Sequence, residues 1–288
     1  MRSPAYLYLA IVLLLLIVGK SFAFVKLSQV TTLPSLSPTN WQQTFRLPDT
    51  AVKIADDLYK IPKAKDPVSG LDVEGYAIIH KKAKFKQAFL HKSKLTNSKT
   101  SCYGFFAKGA KWKNVEPWLL NATGSGLLDN FVLSNLSQDI SKWEDATDGV
   151  LGNGGLNVLG DGSLTTNVLV ADTTAPDGLN EVYFGPIDDP NTIAVTIVWG
   201  YFSGLVSKRR IVEWDQIYNT AYQWSASGEA GKMDFENIAT HELGHSVGLI
   251  DLYNSSCTDE TMYGYATEGE TKKRDLNTGD ITGMNKLY

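Results

Sequence analysis

The chain has 288 residues, of which 43% are hydrophobic, 11% aromatic and 20% charged. This composition is typical of a globular protein and excludes a largely disordered chain, a collagen-like fibre and a coiled coil. The net charge of −4 does not support a nucleic-acid binder, and two cysteines are too few for a four-cysteine zinc finger or an iron–sulfur cluster.

The N-terminus has the three-part pattern of a secretory signal peptide. Arg2 supplies a positive charge, residues 5–18 are almost wholly apolar, and Ser21 and Ala23 are small residues at the −3 and −1 positions of a cleavage site. The apolar run is shorter than the roughly 20 residues that cross a bilayer. We therefore expect cleavage after Ala23, no stable membrane anchor, and a secreted, extracellular protein. The alternative is an uncleaved anchor.

The remaining chain divides into two parts of opposite charge. Residues 24–100 carry a net charge of +7 and residues 101–288 a net charge of −13. The first part contains one plausible strand, 73–80, and at this size is small for an independent core. The second part has the size of one domain. We expect the basic part to dock electrostatically on the acidic one. The alternative is a solvated, loosely folded extension that stays attached.

Residues 101–288 contain helical and strand patterns that do not alternate regularly, which predicts an α+β domain. In chain order we expect a strand at 116–120, an amphipathic helix at 126–146, and a Gly/Asn-rich loop. Strands at 180–185, 192–202 and 211–224 follow. A helix begins at the N-cap Asp234 and runs to Gly248, and a last helix covers 278–288.

The sequence from His241 reads His-Glu-Leu-Gly-His. On a helix, His241 and His245 face the same side one turn apart and can bind one zinc ion. Glu242 is rotated by about 100° and can act as a general base on a water at that metal. The alternative is a helix with two unrelated histidines.

The third zinc ligand must come from a short list, because the other two of the four histidines, His80 and His91, lie in the basic part. It must therefore be Asp, Glu or Cys. Gly248 can end the helix and reverse the chain, and Asp251 can then return to the metal. In the alternative reading, Asp251 only caps the helix or makes a local turn. His80 and His91 are interpreted as surface histidines rather than caps on the zinc.

These residues resemble the metzincin zinc proteases, whose motif H-E-x-x-H-x-x-G-x-x-H ends in Asp in a minority, as at Asp251 here. Thr261-Met262-Tyr-Gly264 is similar to their methionine turn, and 276–288 is similar to the C-terminal helix of the matrixins. The run 193–199 resembles their substrate-binding edge strand. The usual matrixin ligand is histidine, so Asp251 is a departure.

The resemblance implies a twisted, mostly parallel sheet with an antiparallel edge strand, an active-site helix, a Met-turn and a C-terminal helix. It implies a monomeric zinc endopeptidase with one catalytic Zn²⁺, a protein or peptide substrate, and residues 24–100 as a propeptide that inhibits the catalytic domain 101–288. Zinc would polarise the scissile carbonyl, and Glu242 would pass the proton of the attacking water to the leaving amine. Tyr265, three residues after Met262, is read as structural.

Cys102 has two readings. In an exported chain with two cysteines, a disulfide with Cys257 is the default. The rival is a cysteine switch on the zinc, but the Pro-Arg-Cys-Gly motif of matrixin switches is absent. We therefore favour the disulfide.

Calcium, which matrixins bind, is possible in the acidic loop 145–161, although a solvated loop is the preferred reading. Sequons occur at Asn121, Asn135 and Asn254. Two other functions remain open: a narrow-specificity zinc peptidase of another class, such as an aspzincin-like enzyme, and a non-catalytic binding protein that keeps the fold.

Overall fold

The structure, a computed structural model, describes residues 43–83 and 101–288. The predicted signal peptide, its cleavage site after Ala23 and His91 lie outside the described residues, and so do the other residues of 24–100 that precede 43 or follow 83.

The described residues form one large mixed sheet with helices against it. Its strands are β1 Val52–Lys53, β2 Leu58–Lys65, β3 Asp72–Lys82, β4 Trp118–Asn121, β5 Gly162–Leu164, β6 Asn180–Gly185, β7 Thr192–Tyr201, β8 Arg210–Asn219 and β11 Tyr265–Ala266. The strand order is β1-β2-β3-β7-β8-β6-β4-β5, and the short strand β11 also pairs with β3. A separate two-stranded sheet pairs β9 Trp224–Ser225 with β10 Met233–Asp234.

The part of the sheet built from residues 101–288 has the predicted α+β architecture. Strands β5, β4, β6 and β8 are parallel, and β7 runs antiparallel to β8. Both faces of β7 are covered, which explains its nearly unbroken apolar sequence. The predicted strand 192–202 is thus confirmed as the antiparallel strand that ends this part of the sheet.

The N-terminal segment, residues 43–83, continues the same sheet beyond β7. Strands β1, β2 and β3 are antiparallel neighbours, and β3 pairs antiparallel with β7 from Glu74↔Gly200 to Lys81↔Thr192. Apolar residues of both parts share one core, in which Ile61 and Ile79 pack with Val195 and Trp199. Residues 43–83 are therefore folded into the sheet and are not a solvated extension.

Three helices pack against the sheet: α1 Asp129–Asp145, α2 Phe235–Ser246 and α3 Thr278–Leu287. The predicted N-cap of α2 is confirmed, because the Asp234 carboxylate accepts a hydrogen bond of 3.0 Å from the backbone N–H of Asn237. Helix α1 packs on α2, and the indole of Trp143 donates to the carbonyl of Thr240 at 2.8 Å. Among the described residues, no helix combines the length and apolar character of a membrane span.

The predicted strand 211–224 is wrong in its second half, because β8 ends at Asn219. The side chain of Asn219 accepts a hydrogen bond from the backbone N–H of Ala221 at 2.9 Å, which forms a local turn in place of the next ladder bond. Trp224 then starts the separate strand β9.

Candidate active site

The two histidines of α2 are fully buried and point the same ring atom at one place. The Nδ1–H group of His241 donates to the carbonyl of Thr261 at 2.7 Å, and that of His245 donates to the carbonyl of Leu249 at 3.1 Å. These bonds assign the proton to Nδ1 and leave the lone pair of each Nε2 free for a metal.

The chain reverses after α2 and brings Asp251 back to the histidines. Gly248 has a φ of +115°, which side-chain-bearing residues rarely adopt. Asp251 Oδ1 lies 3.0 Å from Nε2 of His241 and 3.6 Å from Nε2 of His245. These three atoms are buried without a hydrogen-bond partner. Two imidazoles and one carboxylate fit a catalytic zinc, for which three protein ligands are usual.

Electrostatics of the three residues agree with this geometry. Burial lowers the pKa of His241 to about 4 and also lowers the pKa of His245, so both rings are neutral and able to bind a cation. Burial opposes ionisation of Asp251, but a proton on Nε2 of His245 or His241 would hold the pKa of Asp251 below its usual value, and a bound cation would take the place of that proton.

A methionine turn lies under the histidines, at the predicted Met262. Met262 is fully buried, and its sulfur faces Gly244 of α2. The turn is held from α3: the Asp280 carboxylate accepts the backbone N–H of Thr261 at 2.7 Å and that of Met262 at 3.2 Å. Since His241 donates to the carbonyl of Thr261, Asp280 orients the histidine through the backbone of the turn.

Glu242 lies on the same helix, with both carboxylate oxygens engaged. Its Oε1 is 2.9 Å from Nδ1 of His80, and its Oε2 accepts from the hydroxyl of Thr196 on β7 at 2.6 Å. Burial raises the pKa of Glu242 to about 8. The interpretation of His80 as a surface histidine is wrong, because its side chain is completely buried on β3. The apolar residues next to His80 in the sequence predict a buried strand, and this pattern could have indicated that His80 is buried.

Sequence reasoning also missed Lys273, a fully buried lysine beside these groups. Its Nζ donates to the carbonyl of Tyr263 and lies 3.5 Å from Nε2 of His80. Burial lowers the pKa of Lys273 to about 8. Its place in the polar run Thr271-Lys-Lys-Arg274 predicts solvent exposure, so no sequence signal marks it.

Two tyrosines lie on the Asp251 side of the site. The hydroxyl of Tyr253 is 3.2 Å from Asp251 Oδ2 and also bonds the carboxylate of Asp57, which belongs to the N-terminal segment. Tyr265 is in β11 and packs its ring against Tyr253 at a centroid distance of 5.2 Å. This packing agrees with the structural reading of Tyr265.

The structure contains the disulfide between Cys102 and Cys257. It joins the start of residues 101–288 to the loop that follows Asp251, and it leaves neither thiol for a cysteine switch. Of the three sequons, Asn121 and Asn135 have buried side chains, whereas Asn254 is exposed.

Acidic groups occur at two other places. In the loop 145–161 the Asp145 carboxylate accepts backbone N–H groups, among them that of Asn153 at 2.9 Å, so it stabilises a turn. A separate cluster joins Asp172, Asp177 and Glu213, whose carboxylate oxygens lie within 4.8 Å of one another.

Comparisons with known proteins find a family match in the C-terminal part of the chain. The matrixin family profile matches residues 206–288. Metalloendoproteinase 1-MMP of Arabidopsis thaliana is 43% identical over 56 residues, which are 19% of this chain and 14% of that protein. Metalloendoproteinase 2-MMP of the same plant is 35% identical over 72 residues, 23% of this chain and 18% of that protein. The chain thus aligns with less than a fifth of either relative.

Among solved structures, the crystal structure of metalloproteinase-II from Bacteroides fragilis aligns with 81% of this chain and 77% of that one, at 12% identity and a TM-score of 0.34. The matrixin match spans α2, which carries the two buried histidines, together with the methionine turn and α3. The chain therefore has an α+β fold and carries, in residues 206–288, a region similar to the matrixin metalloproteases.

Proposed function

We propose that this protein is a secreted zinc endopeptidase in which His241, His245 and Asp251 hold the metal and Glu242 is the general base. The observation that carries the proposal is the convergence of three buried, unpartnered donor atoms beside a buried carboxylate. The disulfide supports export, because such bonds persist in oxidising compartments.

In the proposed reaction each residue has one task. Bound zinc would supply Lewis acidity for the scissile carbonyl and for water. Glu242 would accept the proton of the attacking water and pass it to the leaving amine, as a buried carboxylate with a raised pKa can do near neutral pH. Thr196 orients Glu242 through its hydrogen bond to Oε2. The low pKa of Asp251 keeps it anionic and able to bind metal.

The substrate would bind as an extended strand on β7, since adding a strand to a sheet edge gives backbone hydrogen bonds without a side-chain code. In the present chain β3 already occupies that edge. We therefore propose that residues 24–100 act as a propeptide, whose β3 prevents an extended substrate from pairing with that edge. Ion pairs such as Lys82–Glu268 and Arg46–Asp188 join the two parts, but the continuous ladder and shared core hold the segment more strongly than charge does.

The test is hydrolysis of an unfolded, alkylated protein by the chain before and after removal of residues 24–100, with the zinc content measured in parallel. We expect one zinc per chain and hydrolysis after removal. Both a chelator and the Glu242→Ala change should abolish hydrolysis, and zinc should restore it after chelation. Hydrolysis that survives chelator and Glu242→Ala would contradict the mechanism. Full activity with residues 24–100 attached would contradict the propeptide role.

A further inference from the structure

Glu242 has no free oxygen in this structure, and one of its two partners comes from the N-terminal segment. Thr196, the partner at Oε2, lies on β7 and belongs to the same part of the chain as α2. His80, the partner at Oε1, lies on β3 at a sequence separation of 162 residues. Withdrawal of β3 would therefore free one oxygen of Glu242 and leave the other oriented.

The position of His80 is set by the strand and not by a flexible loop. In the ladder His80 stands opposite Ala194 of β7, and the next two residues of β3, Lys81 and Lys82, pair in parallel with Tyr265 and Ala266 of β11. The end of β3 is thus held on both sides. The side chain of His80 is completely buried, and its ring lies 4.0 Å from the ring of His241, measured between centroids.

The direction of the hydrogen bond between His80 and Glu242 follows from the contact that the other ring nitrogen of His80 makes. Nζ of Lys273, which can only donate, lies 3.5 Å from Nε2 of His80. Nε2 is then the acceptor, and Nδ1 carries the proton that it donates to Glu242. Lys273, His80, Glu242 and Thr196 form one connected chain of donors and acceptors, in which the carboxylate of Glu242 accepts twice.

We propose that His80 is an inhibitory residue that holds the chain latent by donating Nδ1–H to the general base Glu242, at a place where substrate would lie. This inference rests on the proposed function and specifies how that site is regulated. Covering β7 would exclude a long peptide that must pair along the whole strand, but it would leave Glu242 free to act on a peptide too short to need that pairing. The His80 contact adds a second block, because a hydrogen bond donated to Oε1 makes that oxygen a weaker acceptor for the proton of water.

The inhibitory role differs from metal ligation by His80. A ligand would direct a nitrogen lone pair at the place where the lone pairs of His241, His245 and Asp251 converge, but the Nδ1 atom of His80 lies 2.9 Å from Oε1 of Glu242. Among the described residues, His80 forms a group of potential ligands with His241 and Glu242, but not with His245 and Asp251, so the zinc affinity of a His80 variant decides between the two roles.

The experiment uses the full chain with residues 24–100 attached, whose intact mass is checked before and after each assay. A short quenched peptide is the substrate. The key variant is His80→Leu, which keeps the bulk and removes the donor. His80→Asn is the conservative variant, because its amide nitrogen replaces Nδ1. Ile79→Ala is the matched control: this buried neighbour on β3 faces the other core cluster, so its loss loosens the strand without touching Glu242.

We expect His80→Leu to hydrolyse the peptide at least about tenfold faster than the unchanged chain, with His80→Asn restoring the low rate. Ile79→Ala should raise the rate less than His80→Leu does. Equal rates for His80→Leu and the unchanged chain, or an equal rise with Ile79→Ala, would overturn the proposal. Zinc affinity should be the same in His80→Leu and the unchanged chain. A loss of tenfold or more would make His80 a metal ligand and would equally overturn it.

A second readout does not depend on activity. The melting temperatures of His80→Leu, Glu242→Ala and the double variant form a cycle that measures the direct contact. We expect the second change to lower the melting temperature less when the first is already present. Additive shifts would refute the contact. If no variant cleaves peptide while the cycle is non-additive, the proposed function fails and the His80–Glu242 contact stands.

Discussion

At the residue scale, the His-Glu-x-x-His motif could be recognised from the sequence because it lies within one short segment. Together with the return to Asp251, the motif occupies eleven consecutive positions, which begin at His241. Within them, the helix period and the turn at Gly248 determine which side chains meet. His80 and Lys273 reach the same site from other parts of the chain. No periodicity relates residues so far apart, so their presence could be found only from the folded structure.

Asp280 illustrates a positioning residue that acts on the histidine through the backbone. We predict that Asp280→Asn weakens zinc binding by about tenfold, because an amide nitrogen would replace one oxygen that accepts from Thr261 or Met262. Competition with a chromophoric chelator measures the affinity. Asp259→Asn, an exposed change in the neighbouring loop, is the control and should leave zinc binding unchanged. Unaltered affinity in Asp280→Asn would refute the link between α3 and His241.

Gly244 is the residue at which α2 touches the methionine turn. A Cβ at this position would lie 2.1 Å from Sδ of Met262 and 2.8 Å from the ring of Trp143. Helix propensity would favour Gly244→Ala by about 1 kcal/mol, but overpacking costs about 1–3 kcal/mol. Because the contact with the sulfur is so short, we expect net destabilisation, measured by urea unfolding.

The double variant Gly244→Ala with Met262→Ala tests the cause of this cost. Removing the sulfur makes room for the new methyl group, so adding Gly244→Ala to Met262→Ala should cost less than adding it to the unchanged chain. Equal costs in both backgrounds would mean that Met262 is not the obstacle.

At the element scale, segments with a clear period matched the structure closely. Helices predicted at 126–146 and 278–288 are observed at Asp129–Asp145 and Thr278–Leu287, and the strand predicted at 180–185 is observed at those residues. The prediction from strand propensity was wrong where a side chain forms a local turn, as Asn219 does at the end of β8. Strand β2, whose lysines interrupt its apolar pattern, was not predicted, since its pairing with β3 decides its conformation.

Strand β8 and the loop before β6 create an acidic cluster that should make stability depend on pH. Glu213 is 1% exposed, and burial, reinforced by the neighbouring Asp215, raises its pKa to about 10. The folded state thus holds this proton more tightly than the unfolded chain, where the pKa is about 4.3. Its contribution is fully present below the unfolded pKa and is lost as pH rises toward 10.

We predict that the free energy of unfolding falls between pH 6 and pH 9, and that Glu213→Gln makes this fall smaller, because the amide keeps the shape of a protonated carboxyl group without its titration. Denaturant unfolding with chelator present measures the slope, which for one group is at most about 1.4 kcal/mol per pH unit. Asp161→Asn, at an exposed position, should leave the slope unchanged. The same slope in Glu213→Gln and the unchanged chain would contradict the prediction.

At the scale of the whole molecule, the charge difference between 24–100 and 101–288 indicated two parts, but it did not indicate how they join. The observed junction is a backbone ladder between β3 and β7 with apolar residues on both faces. Such a ladder depends on register between strands more than a hundred residues apart, which a single sequence does not reveal. A pairing of this kind also explains why the basic part needs no independent core: its strands complete the core of the other part.

The ladder makes a prediction about amide exchange along Thr192–Tyr201. With residues 43–83 in place, β7 is paired on both sides, so its amides should exchange slowly with solvent. After cleavage and separation of the N-terminal part, the amides of β7 that donated to β3 should exchange at least about tenfold faster, while those that donate to β8 stay protected. An extended peptide carrying a zinc-binding hydroxamate should restore their protection, because it would pair with the same edge. Hydrogen–deuterium exchange with fragmentation of this strand separates the two sets. If the peptide inhibits the enzyme without protecting β7, the substrate and β3 bind to different surfaces. The contact between His80 and Glu242 would then be the remaining explanation for inhibition by the N-terminal segment.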